Sequence, residues 1–456
     1  MSENKFSNLK LTEAMLNTIS EIGFETMTPV QAEALPSILE NKDVIVQAKT
    51  GSGKTVAFGI GVLSKINVKN TKTQALVLCP TRELADQVAK EIRKLARFTQ
   101  NIKILIICGG SPIKRQYDSL KHGAHIIVGT PGRVLKHLQQ NSLSLENLET
   151  FVLDEAHRML DMGFIDDIKK VIKKTPRDRQ TLLFSATYPE EILKLSESVQ
   201  KNAVNIQTIS TEKPNEITEY FYKTSIKDKF ALLLKIFSNF EPENIIIFSN
   251  TKQQTVDIAD FLQKKGISAL AINGDLEQYQ RTDVLVQFVN KSVSVMVATD
   301  VAARGIDIKE LSMVINFEPP HDPETYTHRI GRTGRAGETG IAFTLYTDKE
   351  AYKVKEYKNN IRIFDESKNI RVKNDFTLVA PNGTLVIEGG KKNKVRAGDI
   401  LGALIKEANI DGKDIGKIDI YDTQSYVAIK KEVIKAAYGS LKKVRIKGKK
   451  FPVWIK

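Results

Sequence analysis

DVIVQAKTGSGKTVAFGIGVL, residues 43–63, decides the architecture of this chain. A short β-branched run, VIVQ, gives way to a loop with glycines at 51 and 53, and the loop opens into an apolar helical pattern beginning at Lys54. A strand followed at once by a glycine loop and a helix is the opening unit of a parallel α/β sheet. Gly51 and Gly53 let backbone N–H groups curl round phosphate oxygens at the helix N-terminus, where aligned peptide dipoles favour an anion. In that geometry Lys54 meets the β and γ phosphates of a nucleotide and Thr55 offers its hydroxyl to Mg²⁺, while Ala48, Lys49, Thr50 and Ser52 complete the cradle. The first position is Ala48 rather than glycine, so the strict phosphate-loop pattern is missed by one residue.

The same alternation continues outward from this stretch. ALVLCP, IKILIICGG, AHIIVGTP, FVLDEAH and TLLFSAT read as further strands separated by helices, which predicts a parallel-sheet domain over residues 1–205. NAVNIQTISTEKPNE, 202–216, is polar and unpatterned and reads as a linker. ITEYFYKTS, NIIIFSNT, ISALAING, VSVMVATD, MVINFEP and IAFTLYT then repeat the rhythm and predict a second α/β domain over 215–362. NNIRIFDESKNIRVKND reads as connector. After it, TLVIEGG, DILGALIKEA, GKIDIYD, YVAIKK, EVIKAAYGSL and VRIKGKKFPVWI give β-α-β-β-α-β over 375–456, the order of an RNA-recognition sheet.

Bulk properties agree with three domains, because 456 residues exceed what one core supports at roughly 150 residues per domain. With 41% hydrophobic and 27% charged residues the composition is that of a soluble globular protein. The first ten residues, MSENKFSNLK, hold no apolar leader, and runs such as ILIIC fall well short of the ~18 residues a bilayer crossing needs, so a cytoplasmic protein without membrane contact is expected. Cys79 and Cys108 have no Cys or His at metal-ligand spacing and read as core thiols at strand ends. The net charge of +14 favours a polyanionic partner. Residues 372–456 hold 18 Lys and Arg against 9 Asp and Glu, so this short part carries +9 of that excess.

Two further patterns bear on chemistry. FVLDEAH is an apolar strand ending in Asp154 and Glu155, where one carboxylate binds Mg²⁺ and its neighbour orients or deprotonates a water, as phosphoanhydride hydrolysis requires. HRIGRTGRAG, 328–337, sets Arg332 and Arg335 three apart in a glycine-rich turn of the second domain. An arginine brought to a γ-phosphate from another domain stabilises transition-state charge and makes hydrolysis depend on domain closure.

Taken in order, GFETMTPVQ (23–31), AKTGSGKT (48–55), PTRELA (80–85), Gly109 with Gly110, TPGR (130–133), DEAH (154–157), SAT (185–187), ATDVAARGID (298–307) and HRIGRTGR (328–335) resemble the DEAD-box RNA helicases. The resemblance covers about residues 6–345. It implies an α/β fold of two RecA-like parallel-sheet domains facing each other across a cleft, with the C-terminal α+β domain appended, and an RNA-stimulated ATPase that separates short RNA duplexes. It also implies that Gln31, with Phe6 stacking from upstream, reads adenine and makes ATP the nucleotide, and that Gly305 and Asp307 touch its ribose and phosphate side. Arg82, Gly110, Thr130 and Arg133, with Thr251, Gln278, Arg281 and Thr299, are implied along the RNA backbone. Ser185 and Thr187 are implied to couple the two sites. Two residues depart from the family pattern. Met27 replaces a usual proline, which relaxes a turn. His157 replaces the final Asp, so a carboxylate acceptor next to Ser185 becomes a ring that can donate or titrate.

The C-terminal stretches IEGGKKNKVRAGDILGAL, DIGKIDIY and YVAIKK resemble the RNA-recognition domain of a bacterial subgroup of these helicases, whose extra domain selects a hairpin of large-subunit (23S) ribosomal RNA. The implied partners are that RNA and pre-ribosomal particles, and the implied role is large-subunit assembly by a monomer. From the residues themselves, the aromatic ribonucleoprotein signature is absent, which leaves Tyr426 as the main stacking candidate. Lys391, Lys392, Lys394 and Arg396 form one basic loop, and Lys442, Lys443, Arg445, Lys447, Lys449 and Lys450 a second cluster. Two other readings fit the same motor motifs: an ATP-gated RNA clamp or chaperone whose ATPase is weakened by His157, and a DNA-directed translocase. ATP turnover with and without RNA, and with DNA in its place, separates the three.

Overall fold

A computed structural model describes residues 4–48, 51–208, 217–303, 311–334, 339–357 and 377–456. The described residues before 209 form one compact unit and those after 216, down to the C-terminus, form a second.

The first unit is built on seven parallel strands: β1 (Val44–Gln47), β2 (Ala75–Leu78), β3 (Ile104–Ile107), β4 (Ile126–Gly129), β5 (Thr150–Asp154), β6 (Gln180–Ser185) and β7 (Val204–Gln207), in the order β3-β4-β2-β5-β6-β1-β7. Apolar runs such as VIV, ALVL and FVL are required because helices cover both faces. Alternate residues of one strand therefore enter two different cores. Val44 and Val46 pack on one face and Ile45 on the other; Val152 lies with the first set, and Phe151 and Leu153 with the second.

β7 corrects the sequence reading, since it falls inside the stretch read as a linker. It pairs with β1 from Val44↔Val204 to Gln47↔Gln207 at the sheet edge. An edge strand needs only alternate apolar positions, and Val204 and Ile206 supply them against Asn205 and Gln207, a pattern too short to stand out in a polar segment. Residues 209–216 lie outside the described residues.

The second unit holds two sheets. Six parallel strands, β8 (Ile217–Lys223), β9 (Ile245–Phe248), β10 (Ala269–Ile272), β11 (Val295–Ala298), β12 (Met313–Asn316) and β13 (Gly340–Tyr346), run in the order β10-β11-β9-β12-β13-β8. Four antiparallel strands, β14 (Asn382–Ile387), β15 (Ile415–Ile420), β16 (Ser425–Lys430) and β17 (Val453–Ile455), follow in the order β15-β16-β14-β17, with helices between β14 and β15 and between β16 and β17.

The small sheet is docked on the larger one. Val386 of β14, Tyr426 of β16 and Trp454 of β17 close over Val286 on the helix Gln278–Val289. Polar groups ring this apolar contact: the Tyr426 hydroxyl donates to Asp283 at 2.6 Å, Lys456 pairs with the same carboxylate, Asn382 Nδ2 donates to the Asn290 carbonyl at 2.9 Å, and Ser292 and Thr384 hydroxyls meet at 2.7 Å.

Candidate nucleotide and RNA sites

The phosphate loop leaves β1 and ends where the helix Lys54–Leu63 begins. Gly53 has φ +93°, and a Cβ there would lie 2.5 Å from Gln31 Nε2 and 2.9 Å from Thr28 Oγ1, so both backbone and space demand glycine. Those two neighbours brace the loop. The Thr28 hydroxyl donates to the Ser52 carbonyl at 2.8 Å, Gln31 Nε2 donates to the Gly53 carbonyl at 3.2 Å, and Gln31 Oε1 accepts the Thr28 N–H at 2.9 Å. The glutamine read from sequence as an adenine contact is thus also a strut between the helix Pro29–Leu39 and the loop. Phe6, in a 3₁₀ turn, is buried in the same apolar cluster as Met27 and Val30. Lys49 and Thr50 lie outside the described residues, whereas Gly51, Ser52 and Thr55 take their places along the loop and first helical turn.

Lys54 begins that helix and turns inward. Its Nζ donates to the Ala48 carbonyl at 2.9 Å and to Glu155 Oε1 at 2.9 Å, which ties the phosphate loop to the end of β5. Glu155 is only 2% exposed and holds a left-handed backbone, φ 54° and ψ 51°, as it caps the helix Ala156–Asp161. This conformation is costly for a residue with a Cβ and marks a functional turn. Burial pushes the Glu155 carboxyl up, but the charges of Lys54 and Arg158 outweigh it and hold the group below the ordinary carboxylate range. Asp154 next to it moves the other way: burial, and then the negative charge of Glu155, raise it to about 7. Two adjacent acids are thereby split into one firmly ionised and one in need of a cation. The oxygen donors of Asp154 and Thr55 suit a hard divalent ion such as Mg²⁺, whose charge would hold the Asp154 carboxylate ionised.

His157 continues the chain of buried polar groups. Its Nδ1 lies 2.8 Å from Ser185 Oγ at the end of β6, and its backbone N–H donates to the same oxygen at 3.3 Å. Ser185 Oγ is also 2.6 Å from the Thr187 carbonyl, and the Ser185 carbonyl accepts the Ala48 N–H at 3.0 Å. Ser185 therefore touches His157, Thr187 and the end of the strand that leads into the phosphate loop.

Arg82, Gly110, Thr130 and Arg133 gather at the C-terminal ends of β2, β3 and β4. A Cβ on Gly110, whose φ is +76°, would collide with the Arg82 guanidinium, so glycine clears the space in which that arginine lies. Arg133 Nη1 donates to Gln116 Oε1 at 2.9 Å and to the Ser111 carbonyl at 3.1 Å. Gln116, which the sequence reading missed, also bonds His137 Nε2 at 2.9 Å and donates to the Cys108 carbonyl at 2.8 Å. Its only sequence signal was a polar residue on an amphipathic helix, indistinguishable from a solvated one. Cys79 and Cys108 are buried free thiols, and burial pushes Cys108 up to about 12, which leaves it inert.

In the second unit Thr251 caps the helix Lys252–Lys264, Gln278 starts the helix Gln278–Val289 with Arg281 one turn on, and Thr299 follows β11. Thr251, Gln278 and Thr299 follow the C-terminal ends of β9, β10 and β11, the side on which open α/β sheets bind ligands, and Arg281 lies one turn further along its helix. Arg332 is 7% exposed just past the helix Pro323–Ile330. Gly305, Asp307 and Arg335 lie outside the described residues. Arg329, which the sequence reading passed over, is the structural arginine of its motif. It is 1% exposed, grips Asp300 through two bonds of 2.7 Å, and donates to Asn250 at 2.9 Å and the Glu318 carbonyl at 3.0 Å.

Tyr426 does not stand as the open stacking platform expected of it. It is 3% exposed because the helix Gln278–Val289 covers it, and burial followed by the Asp283 hydrogen bond raises its phenol above the ordinary range. The two basic runs behave differently. Lys391, Lys392, Lys394 and Arg396 are exposed, as are Lys442, Lys443, Arg445, Lys447, Lys449 and Lys450. Lys447 Nζ donates to the Lys394 carbonyl at 2.9 Å, so segments 53 residues apart form one continuous basic surface.

This geometry agrees with comparisons to known proteins. Residues 28–195 match the DEAD/DEAH box helicase family, 228–337 the helicase conserved C-terminal domain, and 384–455 the DbpA RNA binding domain. The chain is 51% identical over 446 residues to the ATP-dependent RNA helicase DbpA of Escherichia coli, covering 97% of this chain and 98% of that one. The chain belongs to the DEAD-box ATP-dependent RNA helicases. Another member, CshA of Geobacillus kaustophilus, is 46% identical over 76% of this chain and 74% of its own. The structure of S. cerevisiae Dbp5 bound to RNA and ADP BeF3 superposes with a TM-score of 0.71 at 32% identity, covering 79% of this chain and 95% of that one. As a DEAD-box helicase homologous to DbpA, the protein hydrolyses ATP and binds RNA, on two RecA-like sheets followed by an antiparallel α+β domain. Among the described residues no helix is long and apolar enough to cross a membrane.

Proposed function

We propose that this DEAD-box helicase separates short RNA duplexes in large-subunit ribosomal RNA during subunit assembly in the cytoplasm, addressed to a 23S hairpin by its C-terminal domain and acting as a monomer. The observation that carries the catalytic half of this reading is the Lys54–Glu155 pair, 2.9 Å long and buried. Lys54 is the cation meant for the β and γ phosphates, and Glu155 is the acid meant for the attacking water, so arriving phosphates draw Lys54 away and leave the carboxylate to its task. Thr55 and Asp154 would hold Mg²⁺, which supplies charge neutralisation of the phosphates when bound. Gln31 with Phe6, and Gly305 with Asp307, serve the adenine and ribose. Arg332 and Arg335 stabilise the charge on the γ-phosphate. Arg82, Gly110, Thr130, Arg133, Thr251, Gln278, Arg281 and Thr299 grip the RNA backbone without reading sequence.

For the address, the merged basic surface around Lys394 and Lys447 supports RNA phosphate binding. The test is RNA-stimulated ATP turnover with a panel of ribosomal fragments. One large-subunit hairpin fragment should stimulate at least about 10-fold better than its scrambled counterpart, a ratio of the size that specific over nonspecific RNA contacts supply. Equal stimulation by all fragments would reject the address, equal stimulation by DNA would favour a translocase, and absent turnover with RNA bound would favour an ATP-gated clamp.

A further inference from the structure

The C-terminal domain has the strand order of an RNA-recognition sheet, yet the face on which such sheets stack bases is taken up by docking. Tyr426 at its centre lies under the helix Gln278–Val289, and Tyr421 and Trp454 beside it are half-buried. The aromatic ring left open at this junction belongs to the motor. Tyr279 is 68% exposed in the first turn of that same helix. Residues 279, 283, 286 and 290 recur at helical spacing along one face. Three of them meet the small sheet: Asp283 through Tyr426 and Lys456, Val286 through the apolar contact, and Asn290 through Asn382. Tyr279 extends the row by one turn, about 6 Å along the axis at 1.5 Å per residue, and stays open.

Phosphate-binding candidates flank this ring on both sides. Gln278 precedes it and Arg281 follows it, at the end of the helix nearest the strand C-termini. Beyond Asp283 lies the basic loop of Lys391, Lys392 and Lys394, which is pinned to the turn between β15 and β16. The Lys391 and Lys392 N–H groups donate to the Tyr421 and Asp422 carbonyls at 2.8 and 2.9 Å. Tyr421 packs edge-on against Tyr426 with ring centroids 5.5 Å apart, and the Tyr426 hydroxyl reaches Asp283, one helical turn from Tyr279. A strand that leaves Gln278 and Arg281 for the basic loop therefore passes an open aromatic ring. Phosphate contacts hold any strand by its charge, whereas a ring takes the π-face of a base.

We propose that Tyr279 is a base-stacking residue for single-stranded RNA, set where the strand passes from the backbone grip of the motor to the basic loop of the C-terminal domain. The proposal rests on the reading of Gln278 and Arg281 as backbone contacts. It gives this stretch one contact to a nucleobase among contacts that otherwise hold phosphates.

The test uses the full chain with a non-hydrolysable ATP analogue and a fluorescent single-stranded oligoadenylate in which one abasic nucleotide is moved along the strand. In the parent one abasic position should weaken binding by about 5-fold or more, the size of one base stacked on an aromatic ring. Tyr279→Ala should weaken the intact strand by a similar factor and erase the penalty at that position, because ring and base lose the same contact. Tyr279→Phe and Tyr279→Trp keep a ring and should bind within about 2-fold of the parent. In all three variants the slope of log affinity against log salt should match the parent, since no phosphate contact is lost. Arg281→Gln separates the stacking from the reading beneath it: it should weaken intact and abasic strands alike and reduce that slope by about 0.7. Parent-like binding by Tyr279→Ala, or abasic penalties that all survive it, would overturn stacking at Tyr279 while leaving the backbone grip in place. Unchanged affinity and slope for Arg281→Gln would overturn the backbone reading and, with it, the path assigned to the strand.

Discussion

The charges at the phosphate loop and those at the C-terminal basic surface work by opposite physics. Lys54, Glu155 and His157 are buried, Lys54 bonded to Glu155 and His157 to Ser185, so each is held to one geometry and removal of either member of the Lys54–Glu155 pair leaves the other charge stranded. Lys391, Lys392 and Lys394 are exposed, and water with salt screens each of them. In the first region the worth of a residue lies in its position. In the second it lies in the sum. A charge inside the sheet edge should therefore be irreplaceable one residue at a time, whereas the basic surface should lose function gradually as residues are removed.

The largest effects should fall on the buried pair. Lys54→Ala takes the cation from the phosphates and strands Glu155, so nucleotide affinity and hydrolysis both fall; Glu155→Gln keeps nucleotide bound and leaves the water unactivated. Each should lower turnover by at least ~10²-fold, the usual scale for a positioned charge or general base. Nucleotide titrations should separate them, since only the lysine variant loses affinity. Near-normal turnover by Glu155→Gln would end the comparison, because the buried region would then not be catalytic.

Removal of residues 377–456 should come next. Both motor sheets keep their own strands, so basal hydrolysis and weak stimulation by generic RNA should survive, while discrimination of a preferred ribosomal fragment from a scrambled hairpin should vanish. The cut is less clean than the polar connector alone would imply. Val286 and the Asn290–Ser292 turn lose the small sheet that covers them, so the truncated motor should also melt a few degrees lower. Undiminished discrimination by the truncated motor would move specificity into the motor sheets.

How much of this was legible in the sequence follows the same division. The phosphate loop, the strand-end acids and the β-α-β-β-α-β order were readable because local chemistry writes itself as short contiguous patterns: glycines at forced backbone angles, carboxylates at the end of an apolar run. Gln116, Arg329 and Asp283 were not readable. Each acts through partners far along the chain, as Arg329 does with Asn250, Asp300 and the Glu318 carbonyl, and nothing local distinguishes such a residue from a solvated one. β7 was lost for a different reason, since an edge strand of four residues needs only two apolar side chains. Tyr426 was legible as an aromatic on a central strand, but the partner across that sheet face was hidden in another domain.

The basic surface predicts a smaller and graded effect. Replacing Lys391, Lys392 and Lys394 together removes up to three phosphate contacts, which should weaken all RNAs and reduce the slope of log affinity against log salt by about 2. Single replacements should each take about a third of that. A single lysine whose loss abolishes binding would mean that the surface holds one buried-type contact, contrary to the exposure of all three.

The smallest effect sharpens the comparison at the point where the two kinds of region meet. Tyr426 is buried like the catalytic residues but belongs to the basic domain, and its hydroxyl donates to Asp283 rather than facing RNA. Tyr426→Phe keeps the ring over Val286 and removes that bond together with the 3.1 Å contact to Gln424 Oε1, a loss of about 1.5 kcal/mol or somewhat more because Asp283 is a carboxylate. Lys456 still pairs with Asp283, so the carboxylate is not stranded. RNA affinity and salt slope should therefore match the parent, and melting should fall by no more than a few degrees. A stacking platform predicts the same silence for Tyr426→Phe, since the ring survives, so Asp283→Asn is the discriminating partner. It weakens the docking bonds from the motor side without touching any aromatic ring. Under the docking arrangement Asp283→Asn loosens both Tyr426 and Lys456 and lowers melting at least as far as Tyr426→Phe does, with the combined variant adding little. Additive losses in the combined variant, or a drop in RNA selectivity confined to Tyr426→Phe, would show that the tyrosine hydroxyl serves RNA and that the small sheet leaves the motor when RNA binds.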